Sequence, residues 1–307
     1  MKTGVIFSGQ GAQFVGMGKD LVEAHSEAAS LFAQADALLQ NGFQDACFNG
    51  PDEKLTDTSY CQPALFVHGL SLLAILKKLR PDFQFQSTAG LSLGEFTAHT
   101  AAGHFRFEDG LKLVANRGRL MQEACLKTKG GMLSLIGATA EQAQELAAAT
   151  DLEVANYNCP GQIVLSGAAE KIAEAAEKGK AMGLKRALPL NVAGAYHSRL
   201  MKSAQEGLKP VLDEVTVNAS DIAVYSNVTG KRVIGNAEIK ETLLRQVTGS
   251  VRWQDCVEEM IRDGVTQLIE LGPGKILAGM CKRINKDIPC ISIGSLAELT
   301  AAQSEIK

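Results

Sequence analysis

The spacing of hydrophobic and polar positions changes period repeatedly along the chain, and the changes mark an alternation of strands and helices. Short apolar runs bounded by turn residues predict strands at Val5–Ser8, Gln86–Ala89, Ala223–Ser226, Gln267–Leu271 and Cys290–Ile293. Apolar residues three and four apart predict helices between them, such as Pro63–Leu79, Phe107–Leu126 and Gln254–Arg262. Such alternation favours an α/β fold on a mainly parallel sheet with helices on its faces. One segment breaks the rhythm. From Gly131 the order is strand (Met132–Ile136), helix (Ala140–Ala149), strand (Glu153–Tyr157), strand (Ile163–Ser166), helix (Glu170–Met182), strand (Lys185–Leu190), with 158–162 as the turn between the paired strands. The order βαββαβ is that of a ferredoxin-like unit. It predicts a small subdomain, residues 128–196, inserted into a discontinuous larger domain, 1–127 and 197–307, with a substrate cleft between them.

Composition narrows the class without naming a chemistry. The 307 residues are 46% hydrophobic and 21% charged, ordinary for a globular protein with a packed core. A net charge of −3, with no basic run interleaved with aromatics, argues against nucleic acid or an anionic membrane as partner. The longest apolar stretch, Leu65 to Leu76, is too short to span a bilayer and reads as a buried helix. The seven cysteines are scattered without a C-x-x-C pair, and the five histidines form no H-E-x-x-H. Neither a disulfide framework nor a metal site is expected, and the thiols fit a reducing cytosol. A strand-like run starts at Val5, so no signal or transit segment is expected before it, consistent with a cytoplasmic protein.

Candidate chemistry begins at Gly90-Leu91-Ser92-Leu93-Gly94, a G-x-S-x-G between a predicted strand and a predicted helix, Leu93–Ala102. Glycines on both sides allow the sharp turn that projects a serine hydroxyl at a helix N-terminus, where backbone N–H groups can receive an oxyanion. A serine nucleophile needs a base. His25, His68, His99 and His104 fall in helical or helix-end patterns, whereas His197 follows the last strand of the insert, where the chain returns to the large domain. An imidazole there can accept the serine proton and return it to a leaving thiolate. Ser8-Gly9-Gln10-Gly11 follows the first strand and can offer backbone N–H groups to an anion; Phe14 breaks a dinucleotide fingerprint. Arg117 lies off the polar face of its helix, in line with Leu113, Leu120 and Met121. An arginine on an inward stripe needs an anionic partner, either an internal carboxylate or a substrate.

Taken together these residues resemble the malonyl-CoA:acyl carrier protein transacylases and the related acyltransferase domains of fatty-acid and polyketide synthases. The resemblance runs in order through Phe7–Gly11, Gly90–Glu95, Asn116–Gly118, Asn158 with Pro160–Gln162, His197-Ser198, Arg245-Gln246 with Val251–Trp253, and Glu270–Lys275. It implies a hydrolase-like α/β core carrying a ferredoxin-like insert, with malonyl-CoA and acyl carrier protein as partners and no cofactor. Ser92 would be the nucleophile and His197 its base. The N–H groups of Gln10 and Leu93 would form the oxyanion hole, Arg117 would hold the malonyl carboxylate, and the carbonyl near Gln246 would orient His197. The product would supply extender units for fatty-acid or polyketide synthesis. Two positions depart from the family pattern, Ser8 where proline is usual and Leu91 where histidine is usual; Leu91 and Tyr196 bear on pocket shape. Carrier proteins are acidic, so Lys185, Arg186, Arg199, Lys202, Lys282 and Arg283 are candidates for a docking face. Rival readings are an acyl hydrolase on the same fold, which needs no carboxylate clamp, an ordinary α/β-hydrolase esterase, and a carrier-binding homologue without catalysis.

Overall fold

The computed structural model describes residues 2–306; Met1 and Lys307, the outermost positions of the expected large domain, lie outside the described residues. In chain order the strands are β1 (Lys2–Phe7), β2 (Ser87–Gly90), β3 (Gly130–Ile136), β4 (Glu153–Cys159), β5 (Gln162–Ala168), β6 (Arg186–Pro189), β7 (Ala223–Val224), β8 (Val265–Leu271) and β9 (Cys290–Ile293). Five of them pair in parallel in the order β7-β2-β1-β8-β9. A strand inside a parallel sheet is covered on both faces, so its residues are apolar in succession rather than in alternation. In β1, Val5 and Phe7 enter the core shared with helix Thr58–Leu79, while Ile6 enters the opposite core with Trp253 and Met260.

The remaining four strands form an antiparallel sheet in the order β4-β5-β3-β6, the order of a βαββαβ unit. Leu133, Leu135, Ile163 and Leu165 pack on one face beneath helices Ala140–Ala149 and Ala169–Ala181. Met132, Val164 and Ala155 join the main core instead. β4 is also tied to the larger part of the chain: Tyr157 N–H donates to the Val251 carbonyl at 2.8 Å, and Val251 N–H donates to the Ala155 carbonyl at 2.7 Å.

Two expectations differ from the structure. The helix expected from Pro63 starts at Thr58, because the Asp57 side chain accepts the Ser59 N–H at 2.8 Å and caps it; Pro63 then sits in the second turn. Its 22 residues are long and apolar enough to cross a bilayer, yet 83% of the apolar window is buried inside the protein. The hairpin turn between β4 and β5 is only Pro160-Gly161, with Gly161 at φ 70°, so Asn158 belongs to the strand. The stretch between β1 and Thr58 holds four helices, Lys19–Ala24, Ser26–Leu39, Phe43–Asn49 and Asp52–Thr56, with His25 at a helix end as expected.

Candidate active site

The strand β2 ends at Gly90 and the next helix, Leu93–Ala101, starts three residues later. Between them Ser92 adopts φ 55° and ψ −108°, a region that residues with a Cβ avoid. The turn is tight because glycine permits it on both sides. A Cβ on Gly90 would lie 2.0 Å from the Gly94 carbonyl, and one on Gly94 would lie 2.4 Å from the Phe7 carbonyl oxygen. The Ser92 hydroxyl thus stands at the carboxyl edge of the parallel sheet. Leu93, as the first helical residue, has an N–H with no intrahelical acceptor.

His197, also at a positive φ of 58°, places Nε2 2.7 Å from Ser92 Oγ and Nδ1 2.9 Å from the Gln246 carbonyl oxygen. A carbonyl only accepts, so Nδ1 carries the proton and Nε2 faces the hydroxyl with its lone pair. Burial pulls the imidazole down to about 4, the Arg117 charge acting in the same direction and the backbone bonds opposing. The ring is therefore neutral at neutral pH and available as a proton acceptor.

Arg117 lies in helix Phe107–Lys127 on the same inward stripe as Leu113 and Met121, and is 1% exposed. Its Nη2 donates to Ser92 Oγ at 3.0 Å and to Gln246 Oε1 at 2.8 Å, and its Nη1 donates to Gln62 Oε1 at 2.7 Å. The guanidinium also lies 5.3 Å from the centre of the Phe96 ring. Burial draws it down to about 10, so it stays cationic at neutral pH. Its hydrogen-bond partners are two amide oxygens and a hydroxyl, not the internal carboxylate that was one of its two expected partners. Glu95, whose charge acts on it, bonds instead to the Gln246 amide at 2.7 Å. Burial pushes the Glu95 carboxyl up to about 7, against the hydrogen bonds it accepts from Gln246 and Asn227.

These groups open on a cleft of about 520 Å³ between the edge of the parallel sheet and the small sheet. Gln10, Leu91 and Leu93 line it from the first, and Met132, Asn158 and Val164 from the second. Asn158 is buried and its Oδ1 has no partner. Tyr196 forms part of the wall, its hydroxyl 2.7 Å from Thr58 Oγ1. Of the candidate docking cations, Arg199 is paired with Asp151 at 2.6 Å, and Arg283 donates to the Pro160 carbonyl at 2.6 Å. Sequence reasoning did not single out Gln62 or Asn227. Gln62 left no clear signal, being one of several polar residues in its helix, His68 and Ser71 among them; Asn227 left a weak one, a polar residue just past a strand that ends at the site.

The comparisons with known proteins agree along the whole chain. Residues 5–298 match the acyl transferase domain family. The chain is 40% identical over 316 residues to the malonyl CoA-acyl carrier protein transacylase of Bacillus subtilis (strain 168), with 100% of this chain and 98% of the relative covered. The solved malonyl CoA-acyl carrier protein transacylase from Clostridium perfringens Atcc 13124 superposes with a TM-score of 0.94 at 37% identity, covering 99% of this chain and 97% of that one. A malonyl-transacylase solved in complex with its type II PKS acyl-carrier protein superposes with a TM-score of 0.93 at 34% identity, covering 99% and 100%. With sequence and backbone shared from end to end, this chain belongs to the acyl transferase family.

Proposed function

We propose that the protein transfers a malonyl group from malonyl-CoA to the phosphopantetheine thiol of acyl carrier protein through an ester on Ser92. The observation that carries this reading is Arg117, a buried cation 3.0 Å from Ser92 Oγ whose present partners are all neutral. Such a group suits an acyl chain that ends in a carboxylate, which it can hold by two parallel N–H donors.

In the first half-reaction Ser92 Oγ attacks the thioester carbonyl while His197 Nε2 takes its proton. The N–H groups of Gln10 and Leu93 receive the developing oxyanion. Collapse of the tetrahedral intermediate expels the CoA sulfur, which takes the proton back from the imidazolium. The second half-reaction retraces these steps with the carrier thiol. The Gln246 carbonyl keeps the ring in the required tautomer, in the place a triad carboxylate would occupy. Reactant and product are thioesters of nearly equal energy, so the enzyme need only open a reversible path, and no cofactor enters it. The free thiols accord with work in the cytoplasm. Hydrolysis on the same fold has no need of a carboxylate clamp, and the relatives above are named transacylases.

Intact-protein mass after separate mixing with malonyl-CoA, acetyl-CoA and methylmalonyl-CoA tests this reading. A malonyl adduct forming fastest, mapped to Ser92 and cleared by holo-carrier protein, is the expected result. Equal labelling by acetyl-CoA, or an adduct on another residue, refutes it.

A further inference from the structure

Asn227 lies just beyond β7, the parallel neighbour of β2, and its side chain reaches across to the turn that carries Ser92. Its Oδ1 accepts the Ser92 N–H at 2.7 Å and its Nδ2 donates to the Gly90 carbonyl at 2.8 Å. One amide thus satisfies both arms of the strand-to-helix turn, much as a neighbouring strand would if the ladder continued. Gln246 secures the next backbone group, its Nε2 donating to the Ser92 carbonyl at 2.7 Å. Both are held in turn by one carboxyl: Glu95 Oε2 accepts from Gln246 Nε2 at 2.7 Å and from the Asn227 N–H at 3.2 Å. All three residues are fully buried.

The need for such a cradle follows from the backbone. At φ 55° and ψ −108° Ser92 sits outside the comfortable regions for a residue with a Cβ, and a conformation of this kind persists only where its surroundings over-determine it. Relaxation of the turn would swing Oγ away from His197 Nε2 and re-aim the Leu93 N–H. Two of the three polar groups that Ser92 presents are main-chain groups. Those are the two held by Asn227 and Gln246, leaving the hydroxyl to His197 and Arg117.

We propose that Asn227, itself steadied by Glu95, is a positioning residue that keeps the Ser92 turn in its reactive conformation. This rests on the reading of Ser92 as the nucleophile. The test uses the full chain with Asn227→Ala, which removes both side-chain bonds, and Asn227→Asp, which keeps an acceptor for the Ser92 N–H but loses the donor to Gly90. Three quantities are read on the folded fraction: the single-turnover rate of acylation at saturating malonyl-CoA, the KM, and the rate at which a fluorophosphonate labels Ser92. A thermal melt accompanies them.

The alanine variant is expected to lose roughly 10–100-fold in acylation rate, the range a released backbone strain corresponds to. Labelling should fall by a similar factor and KM by no more than about threefold in either direction, with the aspartate variant between alanine and the unaltered protein. A lowered melt with acylation and labelling both within about threefold of the unaltered protein would mean that Asn227 serves stability alone, and the proposal fails. If the alanine variant does not fold, the aspartate variant decides by the same two rates. Failure of the fluorophosphonate to label Ser92 in the unaltered protein sinks the nucleophile reading instead, so the two failures are distinct.

Discussion

The two walls of the cleft are built on opposite plans. The floor is the carboxyl edge of a parallel sheet whose strands are covered on both faces, so polar groups can stand free only in the turns beyond the strand ends. Gln10 follows β1, Ser92 follows β2 and Asn227 follows β7. The roof is one face of a small antiparallel sheet whose other face is taken up by its own helices. On the floor the main-chain N–H and carbonyl of Ser92 and its hydroxyl are all bonded within the protein. On the roof the buried Asn158 Oδ1 has no partner. The Ser92 turn is held from within the protein, whereas the roof offers the cleft an acceptor that a bound molecule can complete.

The largest expected effects come from the floor. Ser92→Ala should abolish the malonyl adduct and transfer to carrier protein without lowering the melt, and His197→Ala should slow acylation by roughly 10²–10⁴-fold, measured by single-turnover mass spectrometry. Arg117→Ala should lower kcat/KM for malonyl-CoA by at least about tenfold while leaving acetyl-CoA unharmed or improved, since a charged hydrogen bond is worth about 1.5–3 kcal/mol. Arg117→Lys should recover only part of the preference, for an ammonium lacks the planar fork. Parallel loss with both thioesters together with a lower melt would reduce Arg117 to a packing residue.

Effects of pH separate the floor's two buried titrating groups. With His197 held near 4, the acylation rate should stay level from neutrality to about pH 5 and fall tenfold per unit below 4. Arg117→Ala, assayed with acetyl-CoA, should move that limb upward, because the guanidinium is one of the causes of the depression. In stability the two groups act oppositely. The unfolded chain takes up a proton at His197 between about 6.5 and 4 and the folded one does not, so that group lowers stability as pH falls through the window. Glu95 is raised to about 7, so its contribution is full below about 4.5 and is lost as pH rises to 7. Glu95→Gln should therefore gain on the unaltered protein as pH climbs through that range, read from melts in matched buffers. The smallest effect belongs to the roof. Asn158→Ala should raise KM for malonyl-CoA by about 2–10-fold with kcat little changed, the size of one ordinary hydrogen bond.

The same contrast governs how much could be read from the sequence. The Ser92 turn is written locally, because Gly90 and Gly94 are the residues that let β2 and its helix approach, and they flank the serine in the chain. Arg117 betrayed itself by the phase of its helix, and His197 by its place after the βαββαβ pattern. The part played by Gln246 came from the family resemblance rather than from any local pattern. Asn227 showed only its place past a strand; its partner was not legible, since it is set by the neighbour relation of β7 and β2, and the order of strands in a parallel sheet is not encoded in any one segment. Asn158 was misplaced into a turn because Pro160-Gly161 alone suffices to reverse the chain. The helix start at Thr58 was missed because Pro63 reads as a first-turn residue, while the cap that decides the boundary is Asp57.

The two main-chain bonds between β4 and Val251 bear on how an acyl group reaches the serine. A roof joined to the floor only where the chain crosses over would swing like a jaw. The bridge at Ala155 and Tyr157 is a further tether between the two walls, so their spacing is set when the chain folds. Under the proposed reading, discrimination among acyl groups rests on a standing cleft and the Arg117 cation fixed in it, rather than on closure around a cargo. A slender thioester arm on a bulky carrier is the form of cargo that can enter such a cleft while its carrier stays outside.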